Sequence, residues 1–195
     1  MVKRVYDNME EEVTIEEQKE LLRIARAAIA ANFKGTQPPD PVIDGPRLKE
    51  SRGAFVTLHD KDGSLRGCIG SFMAEKPLYK TVREMSLQAA FHDPRFLPLD
   101  EEELKEIHIE ISVLSPLREV KDVDEIQVGR HGLYIIKGIH CGTLLPQVAV
   151  EYGWDRETFL EHTCMKAGLP CNSWKSGVGI FIYSAQVFSE ESERA

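Results

Sequence analysis

The chain has 195 residues, a length that suits one large domain or two small lobes around a shared core. It is 42% hydrophobic and 29% charged, as folded globular proteins are, and no apolar stretch approaches the roughly 20 residues that span a bilayer. The net charge of −8 disfavours binding to nucleic-acid phosphates. Because residues 1–12 are polar and acidic, unlike a secretory signal, we expect a cytoplasmic protein that does not bind membranes.

The first segment of the chain predicts a helix followed by an extended connector. Thr14 and Glu17 have the spacing of a capping box, in which each end of the Thr-x-x-Glu sequence satisfies a free backbone N–H of the other. Apolar residues at helical spacing continue to about Phe33. Residues 36–46 contain four prolines, which can neither continue a helix nor complete a sheet ladder.

A hairpin and a second helix are predicted next. Residues 53–59 and 64–72 are strand-like, and the sequence Asp-Lys-Asp-Gly at 60–63 is typical of the turn between two paired strands. Pro77 suits the first residue of a helix. This helix should end at His92, because the residues just before Pro94 avoid the helical conformation.

The second half of the chain predicts further strands and helices. A short acidic helix is predicted at 100–105, and the alternation of apolar and polar residues over 107–114 is the clearest strand signal in the sequence. The remaining predictions are strands at 126–128 and 133–137, helices at 145–152 and 155–168, and a final strand at 178–188.

This order of elements favours an α+β fold with antiparallel or mixed sheets, because hairpins and helices do not alternate as in βαβ units. We expect residues 1–195 to form a single unit of two associated lobes with a cleft between them. The expected lobes are 14–118 with 178–195, and 119–177.

The run Leu-Arg-Gly-Cys-Ile-Gly at 65–70 is the main candidate site. Because strand side chains alternate between faces, Arg66 and Cys68 should share a face about 7 Å apart, where the guanidinium would favour a thiolate. Leu65, Gly67 and Ile69 should lie on the core face. Gly67 and Gly70 leave room for another backbone or for a ligand.

Two interpretations of Cys68 stay open at this point. It is either a nucleophilic or ligand-contacting thiol, or a buried cysteine that packs as a small hydrophobic residue. The even cysteine count does not by itself indicate disulfides, since reduced thiols are the better expectation for a chain of this size without an export signal.

Four other residues are candidates for binding or catalysis. Asp93 and Arg95 line the mouth of a cleft or form a self-satisfied turn, in which the carboxylate accepts backbone N–H groups and the guanidinium pairs with a carboxylate; both hold if the turn borders the cleft. His131 is either an acid, base or metal ligand or the tip of a hairpin, with Gly132 supplying a positive φ. Gln147 either hydrogen-bonds a ligand or satisfies the backbone.

No cofactor or metal is predicted. The cysteines and histidines lack a Cys-x-x-Cys pair, so their spacing does not match a zinc finger or ribbon. The sequence also lacks a phosphate-binding Walker loop, a dinucleotide fingerprint and the cysteine triplet of a radical SAM cluster.

The run at 65–70 resembles the hallmark of the AMME chromosomal region candidate protein family, called AmmeMemoRadiSam system protein A in prokaryotes. Further matching segments, in chain order, are 93–96, 109–114, 129–133, 142–149, 153–154, 166–169 and Trp174. The resemblance covers residues from about 14 to 188. It implies an α+β fold of two lobes with a cleft. It also implies association with Memo-like and radical SAM proteins, but no established reaction.

Three functions compete at this stage. The first is an accessory module that binds a small molecule or a partner protein, with Memo-like and radical SAM proteins supplying the chemistry. The second is an enzyme that uses Cys68 as nucleophile or thiolate base in the cleft, assisted by Arg66 and by His131 or His92. Nucleic-acid binding ranks last, because the protein is acidic.

Overall fold

The computed structural model describes residues 12–36, 38, 44–73 and 75–190, and the chain divides into two compact units. The chain leaves the first unit after Leu114 and re-enters it at Gln186, so that Ser115–Ala185 forms the second unit. The described helices are α1 (Ile15–Phe33), α2 (Leu78–Phe91), α3 (Pro146–Glu151) and α4 (Arg156–Lys166). The strands are β1 (Ala54–His59), β2 (Leu65–Ser71), β3 (His108–Leu114), β4 (Arg118–Glu119), β5 (Gly132–Lys137), β6 (His140–Leu144), β7 (Gly179–Tyr183) and β8 (Ala185–Ser189).

The first unit is a four-stranded sheet in the order β2-β1-β3-β8, with α1 and α2 contributing to its core. The alternation predicted for 107–114 places Ile109, Ile111 and Val113 of β3 on the buried face. Antiparallel pairing with β1 brings Ala54, Val56 and Leu58 to the same face. The opposite face of this sheet, from here on the polar face, carries Phe55, Thr57 and His59 of β1 and the polar residues of β3.

The second unit has a sheet in the order β4-β7-β5-β6 and a core of its own. Leu133 and Ile135 of β5 are fully buried, as are Phe159 and Leu160 of α4. Thus each unit has a hydrophobic cluster and a sheet, and the α+β prediction is confirmed.

The predicted helices correspond to α1, α2, α3 and α4, and the hairpin to β1 and β2. The capping box is present: Thr14 Oγ1 accepts from Glu17 N at 3.3 Å, and Glu17 Oε2 accepts from Thr14 N at 3.0 Å. The predicted acidic helix at 100–105 is reduced to one 3-10 turn, Glu103–Lys105. The prediction for 36–46 lies partly outside the described residues.

Two strand predictions in the second half were wrong. Residues 126–128 are not a strand; Ile126 ends the 3-10 turn Val123–Glu125, which has its own capping box at Asp122. The predicted strand at 178–188 is two strands, β7 and β8, that lie in different sheets with Ser184 between them. The strand β6 was missed, because its sequence His-Cys-Gly-Thr-Leu has neither strong alternation nor β-branched enrichment.

Leu65 was predicted to lie on the core face, but 40% of its surface is exposed. The cause is a β-bulge: Leu58 pairs with Gly67 while His59 pairs with Leu65, which leaves Arg66 as an extra residue in β2. The bulge reverses the alternation before Gly67, and Leu65 therefore shares a face with His59.

None of the described helices is long and apolar enough to cross a membrane.

Candidate functional site

The backbone of Cys68 is fixed at the outer edge of β2 by two side chains of the turn that follows α2. Cys68 N donates to Asp93 Oδ2 at 2.9 Å, and Arg95 Nη2 donates to Cys68 O at 3.1 Å. These side chains take the place of a neighbouring strand, since β2 is an edge strand of its sheet. Both backbone groups therefore point away from β1, so Cys68 and Thr57 form a non-hydrogen-bonded pair with close side chains.

Asp93 and Arg95 also bind each other. Arg95 donates through Nε to Asp93 Oδ1 at 2.9 Å and through Nη2 to Oδ2 at 2.6 Å, and its backbone N–H reaches Oδ1 at 3.1 Å. Hydrogen bonds from the guanidinium, supported by the N–H groups of Cys68 and Arg95, hold the pKa of Asp93 far below its usual range although burial acts in the opposite direction. The interpretation as a self-satisfied turn is confirmed by these contacts.

The Cys68 side chain is half-buried and contacts Thr57, whose Oγ1 lies 3.4 Å from Sγ. Thr57 pairs with Cys68 on one side and with Glu110 on the other, so these three residues form a row across β2, β1 and β3. Sequence reasoning did not single out Thr57 or Glu110. The available signal was the alternation in 54–59 and 108–114, which puts Thr57 and His59 on one face of β1 and His108, Glu110 and Ser112 on one face of β3.

His59 lies beside this row, and it too was missed. Its Nδ1 is 3.3 Å from the carbonyl oxygen of Gly63, and its Nε2 is 3.9 Å from Glu110 Oε1. That Nε2 atom is shielded from solvent and has no hydrogen-bond partner among the described residues. A carbonyl can only accept a hydrogen bond, so this contact requires Nδ1 to carry the proton of the neutral ring.

Arg66 points to Glu103 and makes a two-pronged ion pair, with Nε–Oε1 at 2.8 Å and Nη2–Oε2 at 2.9 Å. This pairing raises the pKa of Arg66 and lowers that of Glu103. The Phe96 ring centroid lies 6.0 Å from the Arg66 guanidinium carbon and 5.4 Å from that of Arg95. The bulge at Arg66 interrupts the alternation from which a face shared with Cys68 was predicted.

The spaces beside the two glycines of β2 hold protein atoms. A Cβ on Gly67 would lie 2.4 Å from the carbonyl oxygen of Ala89 in α2, and one on Gly70 would lie 2.2 Å from the ring of Phe55. Gly67 therefore permits a close approach of helix and strand, one of the two uses expected for it.

His131 and Gln147 belong to the second unit. His131 Nδ1 accepts from Gln127 N at 3.2 Å inside the turn that leads into β5. Burial first, and then the nearby charges of Arg130 and Arg118, lower the pKa of His131. The prediction that Gly132 supplies a positive φ was wrong: Gly129 does so with a φ of 84°, whereas Gly132 packs against the ring of Tyr183. Gln147 is exposed at the start of α3.

Within the described ranges, no group of three or more His, Cys, Asp or Glu side chains has the geometry of a metal site. A cavity of about 510 Å³ lies at the N-terminus of α1, where Thr14, Glu17, Gly45 and Arg47 contribute to its lining. None of the predicted site residues lines it. The predicted residues that the structure brings together are Cys68, Asp93 and Arg95; Gly67, next to Cys68 in β2, lies against Ala89 of α2.

Comparison with known proteins finds relatives of similar length to this chain. The family model AMMECR1 matches residues 22–188. Protein MK0488 of Methanopyrus kandleri is 44% identical over 94% of this chain and 93% of its own length. Protein MJ0810 of Methanocaldococcus jannaschii is 42% identical over 93% and 94%.

A solved structure has the same fold. The crystal structure of uncharacterized protein PH0010 from Pyrococcus horikoshii is 40% identical and has a TM-score of 0.73, with 88% of this chain and 90% of that chain covered. None of these names states an activity. The family match over most of the chain and the relatives above 40% identity agree with the motifs around Cys68, and the chain therefore belongs to the AMMECR1 family.

Proposed function

We propose that this protein is an accessory module that binds a small ligand or a partner protein, and that Memo-like and radical SAM proteins supply the chemistry. The observation that carries this proposal is the pairing of the charged groups around Cys68. Arg66 is bound to Glu103, and Arg95 is bound to Asp93 and to the backbone of β2. Side chains committed to each other in this way build a rigid support for a binding surface and leave few charges for catalysis.

The experiment is a binding assay with purified Memo-like and radical SAM proteins from the same organism, combined with a screen for ligands that raise the melting temperature. We expect at least one partner to bind with a Kd of about 10 μM or below, about 7 kcal/mol of binding free energy. Arg23→Ala serves as the control and should bind the partner as the wild type does. Arg23 forms an exposed ion pair with Glu20 on α1, away from the sheet. Turnover by the isolated protein that disappears in Cys68→Ala, with no partner bound, contradicts the module.

A second function is supported by a different observation, the contact between Thr57 and the thiol. A hydroxyl that donates to Sγ from 3.4 Å can stabilise the thiolate, which is the form of cysteine that attacks an electrophile. In this alternative Cys68 is the nucleophile of an enzyme, with Asp93 and Arg95 as positioning residues that fix its strand. Covalent labelling of Cys68 by an electrophilic substrate, lost in Cys68→Ser, is the expected result, and turnover retained by Cys68→Ser contradicts it.

A further inference from the structure

The sheet of the second unit ends at β6, which has β5 on one side and no described strand on the other. The two-residue turn between β5 and β6 begins at Gly138, whose φ of 61° suits the first central position of a type II′ hairpin. In such a hairpin the closing pair, here Lys137 and His140, is hydrogen-bonded, and hydrogen-bonded pairs then recur at every second residue. The backbone N–H and C=O groups of Cys141 and Thr143 therefore point away from β5, out of the sheet edge.

These four backbone groups have no backbone partner in the part of the chain that the structure describes. Natural edge strands are commonly blunted by a lysine or a proline on the strand itself, but β6, with the sequence His-Cys-Gly-Thr-Leu, carries neither. The side chain of Cys141 is exposed, so the edge is open to solvent there. Such an edge is a template on which an extended peptide adds a further strand.

The surroundings of this edge are basic, although the protein as a whole has a net charge of −8. The sequence contains no Asp or Glu at 126–150 or at 162–189, and these stretches include β5, β6, β7 and the end of α4. Lys137, Lys166 and Lys175 are exposed, and none of them forms an ion pair with another described residue. Their charges are therefore available to an acidic ligand.

Contacts within the second unit bring the three lysines to β6. Lys137 closes the hairpin opposite the first residue of β6. A Cβ on Gly142 would lie 2.7 Å from the carbonyl carbon of Lys166, so the end of α4 packs closely on the middle of β6. A Cβ on Gly177, close to Lys175 in the chain, would lie 3.8 Å from Lys137 Nζ. Unpaired backbone groups and unpaired positive charges thus meet at one edge of the sheet.

We propose that the β6 edge with its three lysines, from here on the basic edge, binds an extended acidic segment of a partner protein as an added strand. This inference rests on the first function above and specifies the surface and the chemistry of the partner. A peptide strand supplies both acceptors and donors, whereas ionised phosphates of nucleic acids or lipids only accept and leave the carbonyls of Cys141 and Thr143 unpaired. Pairing of two basic edges is disfavoured because it brings lysines against lysines.

The probe is a short fluorescein-labelled peptide that alternates Glu and Val, and its binding to the full chain is followed by fluorescence anisotropy at low ionic strength. We expect a Kd of about 0.1 mM, because few contacts form. The N-methylated version of this peptide keeps the charges but lacks N–H donors, and it should bind at least about tenfold more weakly. A peptide with Lys in place of Glu should not bind. Equal binding of either control peptide overturns the proposal.

Substitutions in the protein test the same two features. Lys137→Gln and Lys166→Gln should each weaken binding of the Glu-Val peptide about threefold, within the range of exposed ion pairs. Lys121→Gln is the matched control and should leave the Kd unchanged, because Lys121 follows β4 at the opposite edge of the sheet. Cys141→Pro removes one outward N–H but no bond between β5 and β6, and should weaken binding about tenfold, whereas Cys141→Ala keeps that N–H and should bind as the wild type does.

The remaining outcomes separate this inference from the accessory module. Equal binding by Cys141→Pro and Cys141→Ala, both folded by circular dichroism, overturns strand addition. Tighter binding of phosphatidylserine vesicles or single-stranded DNA than of the peptide also overturns it. If the Memo-like or radical SAM partner binds the triple variant Lys137→Gln, Lys166→Gln, Lys175→Gln as tightly as wild type, the basic edge is wrong and the module stands. Peptide binding without any partner binding contradicts the module alone.

Discussion

At the scale of single residues, Asp93 does more than close its own turn, because it also binds the backbone of β2. Its side chain is only 1% exposed, and it accepts hydrogen bonds from two backbone N–H groups and one guanidinium. The sequence suggested the turn, because Asp before Pro commonly accepts local N–H groups. It could not suggest the bond to Cys68 N, because the two residues are 25 positions apart and meet only when the sheet forms.

Replacement of Asp93 by Asn removes the negative charge and one acceptor oxygen. We expect Asp93→Asn to lower the free energy of unfolding by about 2 kcal/mol at pH 7, as for other hydrogen bonds to charged groups. Urea unfolding followed by far-UV circular dichroism measures this loss.

The free-energy difference between wild type and Asp93→Asn should also depend on pH. The pKa of Asp93 is lowered in the folded protein, whereas an unfolded Asp has a pKa of about 3.9. The ionised carboxylate therefore stabilises the fold fully above about pH 5, and this contribution is lost as the pH falls below about 4 towards the folded pKa. The difference in free energy of unfolding between wild type and Asp93→Asn should therefore become smaller as the pH falls below about 4. A difference that stays constant from pH 7 to pH 3 contradicts this account of Asp93.

At the scale of elements, the packing of α2 on β2 depends on Gly67. The Ala89 carbonyl oxygen occupies the position of a Gly67 side chain, and a backbone atom can move away only if the whole helix moves. We expect Gly67→Ala to lower the free energy of unfolding by about 2–3 kcal/mol, the typical cost of overpacking.

Gly70→Ala is the matched control, because it adds the same methyl group to the same strand. The atoms it meets belong to the Phe55 ring, a side chain that can rotate away. The cost should therefore be lower than for Gly67→Ala when both are measured by urea unfolding with circular dichroism. Equal costs for the two variants would show that helix packing does not set the requirement at Gly67.

The elements also show where the sequence was informative. Long periodic segments were predicted well: α1 has a capping box and an apolar stripe, and β3 has strict alternation. The bulge at Arg66 could not be predicted, because it depends on the register between β1 and β2 and not on either strand alone. That single shift exposes Leu65 and turns Arg66 towards Glu103.

The candidate site was predicted in part for the same reason. Cys68 stood out because of its unusual neighbours, Gly67 and Gly70. Thr57, His59 and Glu110 are ordinary strand residues in the sequence, and only the three-strand register brings Thr57 and Glu110 into one row with Cys68 and places His59 beside it.

At the scale of the whole molecule, the second unit is an insertion between two strands of the first sheet. The chain leaves after β3 and returns at β8, which are neighbours in that sheet. The two ends of the insertion meet: Ser115 N donates to Ser184 O at 2.9 Å, and Ser184 N donates to Ser115 Oγ at 3.0 Å. Closely spaced termini and a separate core are typical of inserted segments that fold alone.

We therefore expect a fragment of residues 115–185 to fold in isolation. Both tryptophans of the protein, Trp154 and Trp174, lie in this segment, so their fluorescence reports its unfolding directly. The matched control is residues 119–177, the lobe predicted from sequence, which lacks β7. That strand lies between β4 and β5 and supplies buried Ile180 and Ile182, so its loss divides the sheet and opens the core. Fragment 115–185 should unfold cooperatively in urea while 119–177 should show no transition. Cooperative unfolding of 119–177, or its absence in 115–185, contradicts an autonomous unit with these boundaries.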